Sequence, residues 1–107
     1  MTRHVVALIT APNEEEAAKI AKDIVESRLA ACVNIIRGIR SIYQWQGKIE
    51  DETEVLMIVK TRQELFRDLE KRVKEIHSYT VPEIIAFPIL DGSAEYLQWL
   101  SEETEKR

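Results

Sequence analysis

The amino-acid sequence predicts an α+β fold in which helices cover one face of a four-stranded antiparallel sheet. Three observations support this fold. Strand and helix patterns follow in the order β-α-β-β-α-β with one further helix, the strand segments are rich in β-branched residues, and the helical segments are amphipathic. This order is the ferredoxin-like split βαβ pattern. A chain of 107 residues without repeats or linkers suits a single domain, here residues 1–107.

The first strand and the first helix follow one another directly. Residues 5–9 form a continuous apolar run that is typical of a buried strand, and Pro12 ends it. Asn13 and Glu16 then make a capping-box pattern, which predicts the start of a helix. The apolar face of this helix is formed by Ala17, Ile20, Ala21, Ile24 and Val25.

The second strand pattern is unusually long, because it extends over residues 31–46. Gly38 within it predicts a β-bulge. Gly47 and the polar run 50–54 are interpreted as a turn and a solvated loop. A third, wholly apolar strand is then predicted at residues 55–59.

The last part of the chain has the order helix, strand and helix. Pro82 precedes a fourth strand at residues 84–87, and the turn at residues 91–93 offers a helix cap for a short C-terminal helix over residues 96–100. The amphipathic helix before this strand is defined by Leu65, Phe66, Leu69, Val73 and Ile76.

Two strands, at residues 5–9 and 55–59, are apolar throughout, although a sheet with one wet face should alternate apolar and polar residues. A second subunit is the economical cover for the other face, since a large exposed apolar patch is rare on a monomer. The long second strand should overhang its own domain and reach a neighbour. We therefore expect a homo-oligomer, with Tyr43 and Trp45 at the contact between subunits.

Composition and charge exclude several classes of function. The formal net charge of −4 argues against nucleic-acid binding, which needs a cationic surface. No apolar run approaches the roughly 20 residues of a membrane-spanning helix. The single cysteine, Cys32, cannot form an intrachain disulfide, and residues 1–5 do not resemble a signal peptide. We expect a cytoplasmic protein without a nucleic-acid or membrane partner.

The most concentrated polar cluster lies at residues 77–83. His77 follows the second helix, where a neutral imidazole is a common metal ligand, and Tyr79 and Glu83 offer further oxygen donors. In the alternative interpretation, His77 ends the helix and bonds to a backbone carbonyl, because no spaced histidine or cysteine accompanies it. Cys32 lies within an apolar strand and is interpreted as a small apolar residue, not as a ligand.

Lys60 and Trp99 are further candidates for ligand binding. Lys60 either meets an anionic ligand or ends its strand in water. Trp99 either lines a pocket or packs at a subunit contact, and the contact is favoured. No phosphate-binding loop, CxxC pair or nucleophile elbow is present, so the sequence predicts a binding protein and not an enzyme.

Five sequence blocks resemble, in the same order, the signature blocks of the CutA divalent-cation-tolerance family. They span nearly the whole chain and read AACVN at 30–34, SIYQWQGKI at 41–49, EVLMIVKT at 54–61, HSYTVPEI at 77–84 and YLQWL at 96–100. The resemblance implies a ferredoxin-like subunit in a tight homotrimer, similar in architecture to the PII signalling proteins. It also implies a link to tolerance of divalent cations, chiefly copper.

The resemblance leaves two alternatives open. In the first, a trimeric protein of copper homeostasis binds copper(II) weakly through His77 and Glu83, because Ile9 and Ile76 stand where some members offer a cysteine or a second histidine. In the second, a PII-like sensor or scaffold binds a small molecule or a protein between subunits. The residues of that cleft would be Lys60, Tyr79, Glu83 and Trp99. Neither alternative requires a cofactor.

Overall fold

Four strands and three α-helices make up the fold in the computed structural model, which describes residues 3–106. In chain order the elements are β1 (His4–Ala11), α1 (Glu14–Glu26), β2 (Cys32–Trp45), β3 (Lys48–Arg62), a 3-10 turn (Gln63–Leu65), α2 (Phe66–Ile76), β4 (Ile84–Pro88) and α3 (Ala94–Glu103). The predicted order of elements is confirmed. Within residues 3–106, no helix is long and apolar enough to cross a membrane.

The sheet has the strand order β2-β3-β1-β4, and every pair of neighbours is antiparallel. This arrangement confirms the predicted α+β class with a four-stranded antiparallel sheet. Helices α1 and α2 cover one face, and the core lies between them and the central strands. The largest fully buried apolar side chains of this core are Ile9, Ile20, Ile24, Met57, Val59, Leu69 and Val73.

The start of α1 fixes the segment that follows α2. Asn13 Oδ1 accepts a 2.8 Å hydrogen bond from the Glu16 amide, so the predicted helix cap is confirmed. The Glu16 carboxylate accepts bonds from the amide and the hydroxyl of Ser78, at 3.0 and 2.9 Å. Glu16 therefore ties the chain after α2 to the first turn of α1.

The second and third strands form a hairpin that is longer than the sequence predicted. They pair up to Trp45 and Lys48, and both turn residues between them have positive φ, 51° at Gln46 and 79° at Gly47. The interpretation of residues 50–54 as a solvated loop was wrong, because they belong to β3. Their polarity resembled that of a loop, but pairing with β2 satisfies the backbone beyond the core.

The bulge predicted at Gly38 is confirmed. The register of β2 against β3 shifts between Ile36 and Ile39, and Gly38 has φ 69°. A residue in this left-handed conformation is strained unless it is glycine. The bulge divides the hairpin into a part that belongs to the sheet and an outer part that carries Tyr43 and Trp45.

The second face of the sheet is only partly covered by the chain itself. Helix α3 packs at the end of β1 and β3, where His4 Nε2 lies 2.8 Å from Ser101 Oγ and Arg62 Nε donates to Thr104 Oγ1 at 2.8 Å. Beyond this helix the face carries exposed or half-buried apolar side chains. These are Val6, Leu8, Ile36, Leu56, Ile58, Ile85 and Phe87.

Candidate functional site

A cleft of about 560 Å³ lies between the outer hairpin and the segment that joins α2 to β4. Its walls combine aromatic rings with carboxylates, and this combination sets it apart from the apolar core. The aromatic residues are Tyr43, Trp45 and Tyr79, and the acidic ones are Glu50, Glu52, Glu54 and Glu83. Thr10, Ser78, Thr80 and Val81 complete the lining. We call it the acidic cleft.

The hairpin places three of the glutamates in a row. Glu50, Glu52 and Glu54 occupy alternate positions of β3, so their side chains leave the strand on one face. Tyr43 is the partner of Glu50 across the hairpin, and its hydroxyl donates to Glu52 Oε2 at 3.2 Å. The acidic and aromatic walls therefore follow from the register of one strand pair.

His77 is the C-terminal capping residue of α2, and its side chain does not line the acidic cleft. Its Nδ1 accepts a 3.0 Å bond from the Tyr79 amide, so its Nε2 carries the hydrogen that goes to the Thr10 carbonyl at 2.7 Å. The ring is buried and lies 4.8 Å from the Tyr79 ring. A metal ion that binds His77 Nδ1 must therefore displace the Tyr79 amide. Glu16 Oε2 lies 3.4 Å from the same ring nitrogen.

Tyr79 and Glu54 meet at the base of the cleft. The tyrosine hydroxyl donates a 2.6 Å bond to Glu54 Oε2, and the glutamate is only 5% exposed. Burial raises the pKa of Tyr79 far above its ordinary value, and the Glu54 carboxylate raises this pKa further. Tyr79 is therefore a neutral hydrogen-bond donor at any physiological pH.

The charge of the acidic cleft is not balanced by basic side chains among the described residues 3–106. Across residues 3–106, no Lys, Arg or His nitrogen lies within 4.0 Å of the carboxylates of Glu50, Glu52, Glu54 or Glu83. Asp51, on the opposite face of the same strand, is paired with Arg40 at 2.6 Å. The cleft is therefore a region of uncompensated negative charge that attracts cations.

The described part of the chain does not by itself assemble a metal centre. Among the described residues 3–106, no group of three or more His, Cys, Asp or Glu side chains is arranged to hold a metal ion. Glu83 lines the acidic cleft, whereas His77 is turned toward Thr10 and Tyr79. The described residues 3–106 therefore supply negative charge that attracts cations, but no preformed set of three ligands.

The remaining predicted ligand residues lie elsewhere in the subunit. Lys60 donates to Asn34 Oδ1 and lies 3.9 Å from Cys32 Sγ on β2. Trp99 lines a second cavity of about 390 Å³, together with Arg28 and other residues at the end of α1. Within this chain the structure brings Tyr79 and Glu83 into the same cleft, and it places Lys60 and Trp99 apart from them.

Sequence reasoning missed the row of glutamates, although a signal for it was present. Glutamates at positions 50, 52 and 54 follow the period of two that a strand requires. Gln46 and Gly47 stand between the apolar-aromatic end of β2 and this row, and a two-residue linker that ends in glycine is typical of a hairpin. Both signals together predict a polar strand that faces Tyr43 and Trp45.

The family model and the relatives that match this chain carry the same family name. The family model for the CutA1 divalent ion tolerance protein matches residues 5–103. The divalent-cation tolerance protein CutA of Thermus thermophilus is 57% identical over 99 residues, which are 92% of this chain and 96% of that protein. Protein CutA of Homo sapiens is 50% identical over 99 residues, and this chain spans 55% of its length.

Solved structures agree with these matches. The Cut A1 divalent cation tolerance protein of Thermus thermophilus has a TM-score of 0.93 at 55% identity, with 95% of this chain and 99% of that chain covered. CutA1 from Oryza sativa has a TM-score of 0.94 at 44% identity, with 98% and 96% covered. The similarity therefore extends over both the helix-covered core and the long hairpin.

Proposed function

Because the chain belongs to the CutA1 divalent ion tolerance protein family, we propose that it binds copper(II) weakly in the acidic cleft and serves copper tolerance as a cytoplasmic homotrimer. One observation carries this proposal. The glutamates of the cleft face a common space without a basic partner among residues 3–106. The negative charges of these glutamates repel one another. A bound divalent cation relieves this repulsion, whereas an anion would increase it.

The affinity follows from the donor set. Copper(II) stands highest among divalent first-row metals for a given site, so it outcompetes zinc for these donors. Carboxylates alone hold it loosely, and Glu83 is the member that we assign as a ligand. His77 contributes an imidazole only when Nδ1 releases the Tyr79 amide, and this rearrangement lowers the affinity further.

The trimeric state is supported by the open face of the sheet. Ile36, Ile85 and Phe87 are between 44% and 52% exposed, a large apolar surface for an isolated domain. A neighbouring subunit buries this face. The number of subunits, three, is what the family resemblance implies. The cytoplasmic location remains a prediction, since Protein CutA of Arabidopsis thaliana is named chloroplastic.

Titration calorimetry with copper(II) tests the metal assignment. Wild type should bind weakly, Glu83→Gln and the double variant Glu52→Gln/Glu54→Gln should bind more weakly, and Asp51→Asn should match wild type because its carboxylate faces away and pairs with Arg40. His77→Gln measures how much of the copper(II) affinity comes from the imidazole. Unchanged copper binding in the Glu83 variant and the double variant would contradict the proposal.

A second candidate function is a PII-like sensor or scaffold that binds a small molecule or protein between subunits. The cleft volume of about 560 Å³ and its aromatic walls favour it, since a metal ion needs neither. Tyr79 and Glu83 already share this cleft, whereas Lys60 and Trp99 would have to reach it from a neighbouring subunit. Either role is one of binding, not of catalysis.

A further inference from the structure

We propose that α3 is a detachable strap: it leaves and rejoins the sheet as one unit while the rest of the subunit stays folded, and Arg28 holds it in place. The inference goes beyond the proposed function and does not use the acidic cleft. Three features of the structure support it: the backbone of Arg28, the contacts of its side chain, and the polar character of the other contacts that hold α3.

Arg28 has a strained backbone at the end of α1. Its φ is 63°, in the left-handed region. The Arg28 amide donates to the Val25 carbonyl at 3.1 Å, and the next amide donates to the Ile24 carbonyl at 2.9 Å, which is the hydrogen-bond pattern of a Schellman helix end. Glycine is the usual residue at this position, because a Cβ atom is unfavourable there. The conformation of α1 alone therefore gives no reason for an arginine at position 28.

The side chain of Arg28 supplies that reason, because it caps the end of α3. Its Nη1 donates to the carbonyls of Glu103 and Glu102, at 3.0 and 3.4 Å, and lies 3.8 Å from the Glu103 carboxylate. The last carbonyls of a helix have no partner within the helix and carry its partial negative charge. A guanidinium group provides both hydrogen bonds and positive charge. The strain at the end of α1 is therefore offset by a contact that holds α3.

Little buried apolar surface holds α3 on the sheet. Of its ten described residues Leu100 alone is fully buried, whereas Tyr96 and Trp99 are 42% and 41% exposed. Residues 89–93, which join β4 to α3, form neither helix nor strand. An element with few buried apolar contacts opens at a lower free energy than the core.

The other contacts at the end of α3 are polar. Arg62 donates to the hydroxyl and to the carbonyl of Thr104, at 2.8 and 2.7 Å. His4 Nε2 lies 2.8 Å from Ser101 Oγ. Detachment exchanges these bonds for bonds to water, so each of them stabilises the attached state only modestly.

Detachment of the strap changes the second cavity, of about 390 Å³, which lies between α3 and the end of α1. Trp99 and Glu103 form its wall on α3. The cavity therefore exists only while the strap is attached, and a molecule bound in it would hold α3 in place. A neighbouring subunit that packs on Trp99 would hold the strap in the same way, so the test is made on the assembled protein.

The direct test is hydrogen exchange of the assembled wild-type protein, measured by mass spectrometry. A helix of ten residues is marginal in water on its own, so its amides exchange when it detaches. We expect the amides of residues 97–103 to exchange together, at least about a hundredfold faster than the slowest amides of β1 and β3. Exchange of α3 at the rate of those core amides would make it part of the global unfolding unit and would overturn the inference.

Variants separate the side chain of Arg28 from its backbone. Arg28→Ala keeps the strain and loses the guanidinium, whereas Arg28→Gly loses both. Exchange of α3 should become about tenfold faster in either variant, while denaturant unfolding should show Arg28→Gly to be more stable than Arg28→Ala. Arg67→Ala is the control, because its guanidinium pairs with Glu70 within α2, and its α3 should exchange as in wild type. Unchanged exchange of α3 in both Arg28 variants would overturn the role of Arg28.

Two controls complete the test. Sedimentation of each variant shows that it is still assembled, so that faster exchange does not come from dissociated subunits. Exchange of the β1 amides reports unfolding of the whole subunit. Equal acceleration of α3 and β1 in Arg28→Ala and in Arg28→Gly would mean that Arg28 stabilises the subunit as a whole, and it would overturn the inference.

Discussion

The hydroxyl of Tyr79 donates a 2.6 Å hydrogen bond to the nearly buried carboxylate of Glu54. This bond joins the segment after α2 to the middle of the long hairpin, which are two parts of the chain 25 residues apart in sequence. It fixes the base of the acidic cleft, and it is the only contact that satisfies Glu54 Oε2 among the described residues 3–106.

Tyr79→Phe should therefore destabilise the protein by about 1–3 kcal/mol, because a buried acceptor loses its donor. Tyr43→Phe is the matched control, since its hydroxyl donates to the more exposed Glu52 at 3.2 Å, and it should cost less than about 0.5 kcal/mol. Denaturant unfolding of both variants gives the comparison. Equal losses of unfolding free energy in the two variants would show that the bond from Tyr79 to Glu54 stabilises the protein no more than the bond from Tyr43 to Glu52.

Acid should weaken the contact between α1 and α2. Arg72 donates two bonds to Asp23, at 2.8 and 2.6 Å, and these bonds hold the pKa of Asp23 below its ordinary value of 3.8. A depressed pKa adds stability above the unfolded pKa, and this stability is lost as pH falls through the folded pKa. The loss from this pair should therefore begin near pH 4 and continue below it.

Asp23→Asn tests this pH dependence. Urea unfolding measured from neutral to acid pH should give a flatter dependence below about pH 4 in this variant than in wild type. Asp68→Asn is the control, because Asp68 is exposed and has no basic partner within 4.0 Å among residues 3–106. An identical acid dependence in Asp23→Asn and wild type would argue against a contribution from the ion pair.

The hairpin turn offers a stabilising substitution. Gln46 has φ 51° in a two-residue turn where asparagine is preferred at the first position. Gln46→Asn should raise the free energy of unfolding by about 0.5 kcal/mol, and Gly47→Ala should lower it by about 1–2 kcal/mol because φ is 79° there. Denaturant midpoints measure both. A stabilised Gly47→Ala would contradict this description of the turn.

Trp45→Ala should weaken assembly more than it disturbs the single subunit. The indole is 41% exposed on the outer hairpin, away from the helix-covered core. Truncation of a buried interface aromatic costs about 2–4 kcal/mol of association free energy. Sedimentation against protein concentration, with circular dichroism for the subunit structure, separates the two effects. A variant that assembles like wild type would remove Trp45 from the interface.

The sequence allowed the order of elements to be predicted, because periodicity and caps such as Asn13 act locally. It also allowed the bulge at Gly38 to be predicted. Residues 50–54 were misassigned as a loop. A strand that lies outside the core needs no apolar face, and the local sequence does not show which strand it pairs with. The bond from Tyr79 to Glu54 depends on a tertiary contact that no local pattern encodes. His77 ends α2 and bonds to a backbone carbonyl, as the alternative interpretation expected, but the sequence did not identify that carbonyl as Thr10.

The most direct test of a homotrimer that holds cations loosely is native mass spectrometry of protein purified without added metal. We expect a species of three subunits of 12.4 kDa each, free of tightly retained metal, which takes up copper(II) when the metal is added. A folded monomer of 12.4 kDa would contradict the trimer, and a trimer that takes up no copper(II) would contradict the metal assignment.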